Sequence, residues 1–236
     1  MQSLWDDREA ADFIARYGER WGEPLALRVY TSRLIGRDDT LVLHGGGNTS
    51  VKAEVPDRFG EPRAVLFVKG SGWNLADIEP EGLPGLDLAY LRRLRALDAL
   101  SDEDMVNELR THLLDARSPN PSIETLLHAF LPHRFVDHSH ADAILALTNR
   151  ENGEQLVRDA LGNGGLVLPY VMPGFPLALQ VAAAVEQRPE AEGVLLMHHG
   201  LFTFGDTARE SYERHIELVA RAESRIQAAA AADGES

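Results

Sequence analysis

The segment Asp137-His138-Ser139-His140 carries two imidazoles two residues apart in a stretch with strand-like alternation. Successive side chains of a strand point to opposite faces, so His138 and His140 share a face and can reach one metal ion. A further imidazole is offered by His198-His199, ahead of Gly200 and at the end of an apolar run read as a strand over 193–198. Adjacent strand residues diverge, so one of this pair is expected to face the site. Neutral imidazole is a natural Zn²⁺ ligand, and three protein ligands with an open position form the catalytic arrangement. The competing reading of a His-x-His pair is plain surface polarity.

Glu124 follows Pro121-Ser122-Ile123 at the predicted start of a helix. A carboxylate there can simply complement the helix dipole. Alternatively it is a general base beside the metal, its pKa raised by burial. Ser122 is either a plain N-cap or a phosphate contact. Two glycine-rich loops follow strand-like runs: Gly45-Gly46-Gly47-Asn48-Thr49-Ser50 and Lys69-Gly70-Ser71-Gly72. Either could cradle a phosphate or be an ordinary turn. Neither fits the P-loop or the dinucleotide fingerprint.

The elements that must position these residues can be read from periodicity. An N-terminal helix shows Leu4, Phe13 and Ile14 among acidic neighbours, and a second helix spans about 26–35. Leu41-Val42-Leu43 is a short apolar run. Val51-Lys52-Ala53 and 64–68 read as strands, with 56–63 as the hairpin loop between them. Ser101 opens a helix with Met105, Leu109 and Leu113 on one side. Ser118-Pro119-Asn120-Pro121 breaks the chain. A helix from Ser122 then presents Ile123, Leu126, Leu127, Phe130 and Leu131, and 134–140 alternates as a strand. Thr207 to Glu210 is a capping box for a long last helix striped by Tyr212, Ile216, Val219 and Ile226. The alanine-rich tail, about 229–236, is expected to fray. The whole chain, 1–236, reads as a single α/β domain whose mainly antiparallel or mixed sheet is covered by helices.

Composition narrows the function. With 23 Lys+Arg against 37 Asp+Glu the formal net charge is −14, which argues against nucleic acid as a partner. There is no cysteine, hence no thiolate ligand or thiol nucleophile. No apolar stretch is long enough to span a membrane, and no targeting segment is visible, so a cytoplasmic protein is expected.

Taken in order, these motifs resemble the class II aldolase/adducin family over about residues 25–230. The stretches that carry the likeness are Leu43-His44-Gly45-Gly46-Gly47-Asn48-Thr49-Ser50, Val68-Lys69-Gly70-Ser71-Gly72 and Pro121-Ser122-Ile123-Glu124-Thr125-Leu126-Leu127-His128. They continue with Asp137-His138-Ser139-His140 and its sequel to Thr148, and with His198-His199-Gly200-Leu201-Phe202 and its sequel to Thr207. Within the family the likeness is greatest to metal-dependent L-rhamnulose-1-phosphate aldolases, in particular the aldolase part of bifunctional aldolase/dehydrogenase proteins.

The resemblance implies a Zn²⁺ enzyme, with other divalent metals possible, whose ligands are His138, His140 and His199. It implies Glu124 as catalytic acid/base and Asn48, Ser71 and Ser122 as phosphate contacts, assisted by Gly47 and Gly72. The implied reaction is reversible cleavage of a ketose 1-phosphate to dihydroxyacetone phosphate and a short aldehyde such as lactaldehyde. The implied assembly is a homotetramer. Relatives with the same site act as 4-epimerases, decarboxylases or methylthioribulose-phosphate dehydratases, and adducin-like modules have the fold without catalysis. The resemblance departs in two places. No glycine-rich nucleotide fingerprint follows the last helix, so dehydrogenase chemistry is not expected from these residues. None of Tyr17, Tyr30, Tyr90, Tyr170 or Tyr212 aligns with the second acid that some family aldolases use. Trp73, beside the second glycine loop, is a candidate for shaping the aldehyde side of the pocket or for the core.

Overall fold

The computed structural model describes residues 1–234. Its centre is the hairpin of β1 (Asn48–Pro56) and β2 (Pro62–Val68), paired antiparallel with Ser50 opposite Val68 and Pro56 opposite Pro62. The turn is tighter than the loop expected over 56–63, because Asp57 Oδ1 accepts from both Phe59 N and Glu61 N. β4 (Phe135–Ser139) joins the first half of β1, and β7 (Gly200–Gly205) joins β4. β3 (Gly85–Asp87) closes one edge, and β6 (Gly193–Leu196) and β5 (Gly165–Leu168) extend the other. The sheet has seven strands in the order β3-β2-β1-β4-β7-β6-β5, and only β5–β6 is parallel. The fold is therefore α/β with a mixed, mainly antiparallel sheet between helices.

Alternation divides the sheet into two buried faces. Val51, Phe67, Phe135, Leu195 and Leu201 pack against α1 (Asp7–Trp21), α2 (Glu23–Gly36), α6 (Asp142–Thr148), α7 (Gly153–Leu161) and α9 (Ala208–Gly234). Leu66, Val136, Val194, Phe202 and Phe204 pack against α3 (Leu88–Leu94), α4 (Asp102–Thr111), α5 (Thr125–Phe130) and α8 (Phe175–Gln187). His138 lies on the second face and Asp137 on the first.

Local chemistry sets several boundaries. Asp6 caps α1 by accepting from Arg8 N and Glu9 N, and Ser101 caps α4 by accepting from Asp104 N. Thr207 caps α9 as expected, its Oγ1 accepting from Glu210 N, but Glu210 Oε2 accepts from Asp206 N, one residue before the N-cap, so the box is completed one residue early. Three boundaries move from their expected positions. α4 ends at Thr111, so Leu113 leaves the helix and bridges to Leu86. The helix expected from Ser122 begins at Thr125, with Glu124 at the N-cap, because Ser122 N is bonded back to Lys69 O and Thr125 N to Ser122 O. The strand expected over 193–198 stops at Leu196, where His199 N donates to Leu196 O and turns the chain. The alanine-rich run expected to fray is helical through Gly234; Glu235 and Ser236 lie outside the described residues.

A buried polar layer lies under the first face. Arg28 on α2 is fully buried and pairs with Asp137, which also accepts from Ser211 Oγ on α9. His215, one turn along α9, bonds Ser139 Oγ at 2.6 Å and Thr203 Oγ1 at 2.9 Å. Ser32 Oγ and Thr49 Oγ1 are 2.7 Å apart. These bonds tie β1, β4 and β7 to two helices and fix the strands that carry the site.

Candidate metal and phosphate site

β1 and β4 pair so that Asn48 stands opposite His138 on the sheet face covered by α5. His140 follows directly after β4, its N–H held by Leu41 O. His199 does not sit in a strand. It lies in the tight turn from β6 to β7, preceded by His198 at φ 59°. That left-handed residue sends His198 away, to Asn149 Oδ1, and leaves His199 facing His138. The expected selection of one histidine from the pair holds, but turn geometry makes it rather than strand alternation.

One ligand atom from each of His138, His140 and His199 lies within 4.8 Å of the others. His138 is fully buried, its ring stacked on Phe202 at 3.8 Å. Its Nδ1–H donates to Leu201 O, which leaves the Nε2 lone pair facing His140 Nε2 at 3.1 Å. A backbone acceptor on the far nitrogen is the usual way a metal-binding imidazole is oriented. Burial holds the pKa of His138 well below the ordinary histidine value and that of His140 below it; burial, then His140, holds His199 at about 4. All three are neutral near pH 7, as metal coordination requires. Gly200 backs the cluster: a Cβ there would stand 2.3 Å from Ser139 O and 3.1 Å from His138 Cε1.

Glu124 is 7% exposed, with Oε1 at 3.3 Å from His199 Nε2 and Oε2 at 3.5 Å from His138 Nε2. Burial raises its pKa to about 7, and the opposing pulls of the Asn48 hydrogen bond and Lys69 do not offset it. A carboxylate serving only a helix dipole would be pulled the other way, and α5 has only six residues. Glu124 occupies the N-cap position of α5, but its side chain makes no capping hydrogen bond. Glu124 Oε1 and His199 Nδ1 are buried without a hydrogen-bond partner among the described residues. Such orphaned atoms beside three neutral imidazoles fit a divalent cation.

A cleft of about 340 Å³ opens beside the cluster, lined by residues 45–48, 69–72 and 122–124 and His140. Gly47 (φ 62°) must be glycine, because a Cβ would lie 2.6 Å from His138 O and 2.6 Å from Val42 Cγ1. The loop amides are partly committed: Gly46 N donates to Leu43 O, Gly70 N to Gly82 O and Ser71 N to Asn120 O. Ser71 and Gly72 are exposed at the rim. Ser122 Oγ accepts from Asn48 Nδ2 and Glu124 N, both at 3.2 Å. The cleft thus brings together every residue expected to hold phosphate. Trp73 is outside its lining and packs over Gly82.

Sequence reasoning passed over Lys69 and His128. Lys69 Nζ donates to Gly45 O at 2.7 Å, joining the two loops, and its charge acts on Glu124. His128 is fully buried between Ser50 Oγ and Asn48 Oδ1. Its signal was the four-residue spacing from Glu124; that of Lys69 was its place directly before Gly70-Ser71-Gly72.

The structure is an α/β protein whose mixed sheet brings three imidazoles that could hold a metal ion and a buried carboxyl beside a glycine-lined cleft. The chain matches the Class II Aldolase and Adducin N-terminal domain family over residues 27–226 and belongs to that family. It is 43% identical to the N-terminal class II aldolase domain of a conserved protein from Thermoplasma acidophilum, with TM-score 0.84, covering 96% of this chain and 99% of that one. It is 41% identical to the uncharacterized oxidoreductase YuxG of Bacillus subtilis over 96% of this chain, and spans about a third (32%) of that relative's length. A sugar-phosphate aldolase from Thermotoga maritima shares the fold at 17% identity and TM-score 0.62, over 85% of this chain and 95% of its own. No described helix is long and apolar enough to cross a membrane.

Proposed function

We propose that this chain is a metal-dependent aldolase that reversibly cleaves a ketose 1-phosphate, of the rhamnulose 1-phosphate kind, into dihydroxyacetone phosphate and a short aldehyde such as lactaldehyde. The observation that carries the reading is Glu124: a buried carboxyl with a pKa of about 7, at 3.3–3.5 Å from two of three clustered imidazoles, at the mouth of a polar cleft.

His138, His140 and His199 would hold the cation, Zn²⁺ or another divalent metal, which when bound supplies Lewis-acid polarisation of the substrate's carbonyl oxygen. The residues of the cleft do the rest. Ser71, Ser122 and Asn48, with Lys69 for charge and Gly47 and Gly72 leaving room, hold the phosphate. As the C3–C4 bond breaks, the C4 hydroxyl gives its proton to water in the open cleft and becomes the aldehyde carbonyl, the bond's electron pair goes to C3, and Glu124 protonates C3; condensation runs the same transfers in reverse. A pKa near the working pH suits both directions. Asn48 Nδ2, donating to Glu124 Oε2 at 2.6 Å, keeps the other oxygen aimed at the site. No lysine imine is needed, and Lys69 serves as a cation. The reading carries with it a cytoplasmic homotetramer.

The test is incubation of purified protein with L-rhamnulose 1-phosphate, with and without chelator, following dihydroxyacetone phosphate. Chelator-sensitive release supports the reading. Protein that holds metal but releases none overturns this reaction in favour of epimerase, decarboxylase or dehydratase chemistry. Protein that holds neither metal nor phosphate esters points to an adducin-like interaction module.

A further inference from the structure

A second cleft shares no lining residue with the one beside Glu124. It has a volume of about 510 Å³ and runs beside the part of β1 that projects past β4. Lys52, Arg92 and Arg134 all line it. Lys52 is four residues along β1 from Asn48, about 13 Å at strand rise.

Lys52 is 7% exposed, and its ammonium has one hydrogen bond, to His133 O at 2.6 Å. Among the described residues no carboxylate lies within ion-pair distance of Lys52, Arg92 or Arg134, although Glu54 and Asp206 also line the cleft. Most other arginines near this chain's surface are paired, as expected at net charge −14. The guanidinium groups are anchored at the root: Arg92 Nε donates to Ala129 O at 3.3 Å and Arg134 Nε to Lys52 O at 3.4 Å. Their terminal nitrogens keep donors for a ligand, in the fork geometry that suits phosphate. Burial, and then Arg92, hold the Lys52 amine at about 7. With Glu54 and Asp206 in the cleft but outside ion-pair distance, a bound anion would hold the proton on Lys52 and pair directly with the two guanidinium groups.

We propose that this cleft is a second anion site, distinct from the metal-side cleft, that takes a phosphate-bearing small molecule on Lys52, Arg92 and Arg134. The site is independent of the reaction assigned to Glu124.

Equilibrium dialysis of the metal-loaded protein against radiolabelled inorganic phosphate counts the sites. The expected result is two phosphates per chain, one lost in Arg92→Gln/Arg134→Gln and the other in Lys69→Met. Both arginines are exposed, so their replacement leaves the fold intact, and each should weaken the cleft site about tenfold. Lys52→Met, checked for folding by circular dichroism, should remove the same site. If the aldolase reading fails, one phosphate should still bind and should still depend on Arg92 and Arg134. Binding that Lys69→Met abolishes entirely, or that the double arginine variant leaves unchanged, overturns the proposal. So does a change of oligomeric state in that variant with no phosphate bound at the cleft by wild type, which would make the face a contact between copies.

Discussion

His128 Nε2 and Asn48 Oδ1 meet end to end in the core between α5 and β1. Asn48 Nδ2 is already a donor to Glu124 Oε2, so Asn48 must present its oxygen to His128 and His128 must carry its proton on Nε2. His128 Nδ1 then accepts from Ser50 Oγ at 2.7 Å. Burial holds the pKa of His128 far below the ordinary value, so this neutral tautomer persists near pH 7. The Glu124 carboxyl is thus oriented by a buried relay, Ser50 to His128 to Asn48 to Glu124. His128→Ala should leave Asn48 free to turn and slow turnover about tenfold to a hundredfold. His128→Gln, which keeps a donor, should recover part of it. Equal losses in kcat for Ala and Gln variants of similar Tm would argue against positioning.

Glu124 and His138 should separate in their effects. Glu124→Gln keeps the shape and the Asn48 contact but cannot move a proton, so metal content should hold while turnover falls about 10²–10⁴-fold. His138→Ala removes a buried ligand and should lose metal and activity together. Metal analysis beside steady-state kinetics distinguishes them, and wild-type turnover in Glu124→Gln would refute the assigned role.

Gly200→Ala should destabilise the protein even though it adds one methyl. The new Cβ would lie 2.3 Å from Ser139 O, a backbone atom of β4 that cannot step aside without moving His138 and His140. Overpacking of this kind costs about 1–3 kcal/mol. Urea unfolding measures that cost, and metal affinity should weaken in the same variant.

Acid should weaken the fold before it touches most carboxylates. His215 is fully buried, and burial lowers its pKa to about 4 from 6.5. The unfolded chain therefore binds a proton that the folded chain refuses, so stability falls as pH drops through 6.5 and levels off below about 4. The shift corresponds to about 3 kcal/mol for this one residue. His128, also buried and lowered, acts in the same direction. Unfolding free energies at pH 7.5 and 5 should show the loss, and His215→Gln should reduce the difference. A pH-independent stability over that range would refute it.

Arg28→Met should be among the most damaging substitutions away from the site. It strands Asp137 without its cation in a fully buried layer. The expected cost is about 3–5 kcal/mol, read as a lower urea midpoint. The double variant Arg28→Met/Asp137→Leu should recover much of it.

Much of this molecule is written in residue order. Period two in 134–140 placed His138 and His140 on one side, and period 3.6 found α1, α4 and α9, with α2 expected from its composition. Alternation found β1 and β4, and short continuous apolar runs found β2 and β6. Among the elements that escaped, β3 with three residues, β5 with four, and α3 and α6 with seven each are too short to show a period, and α8 is apolar almost throughout; α7 escaped despite the one-sided Leu156, Val157 and Leu161. β7 escaped because Leu201-Phe202-Thr203-Phe204 is buried on both faces, so its alternation carries no contrast.

The sequence alone determined which chemistry was available: imidazoles without thiols, a carboxyl after a proline break, glycines where loops must close. Side-chain type and local periodicity are properties of neighbouring residues, so they can be read without a fold. The family likeness already pointed to His199 over His198, but only the tertiary structure supplied the reason, a left-handed turn residue at His198. It also decided that Glu124 titrates near 7 rather than near 4, that His128 and Lys69 lie against Asn48 and the glycine loops, and that Lys52, Arg92 and Arg134 line one cleft. Each of these depends on burial and on approach between residues far apart in the chain. Desolvation and long-range contact exist only once the sheet has formed.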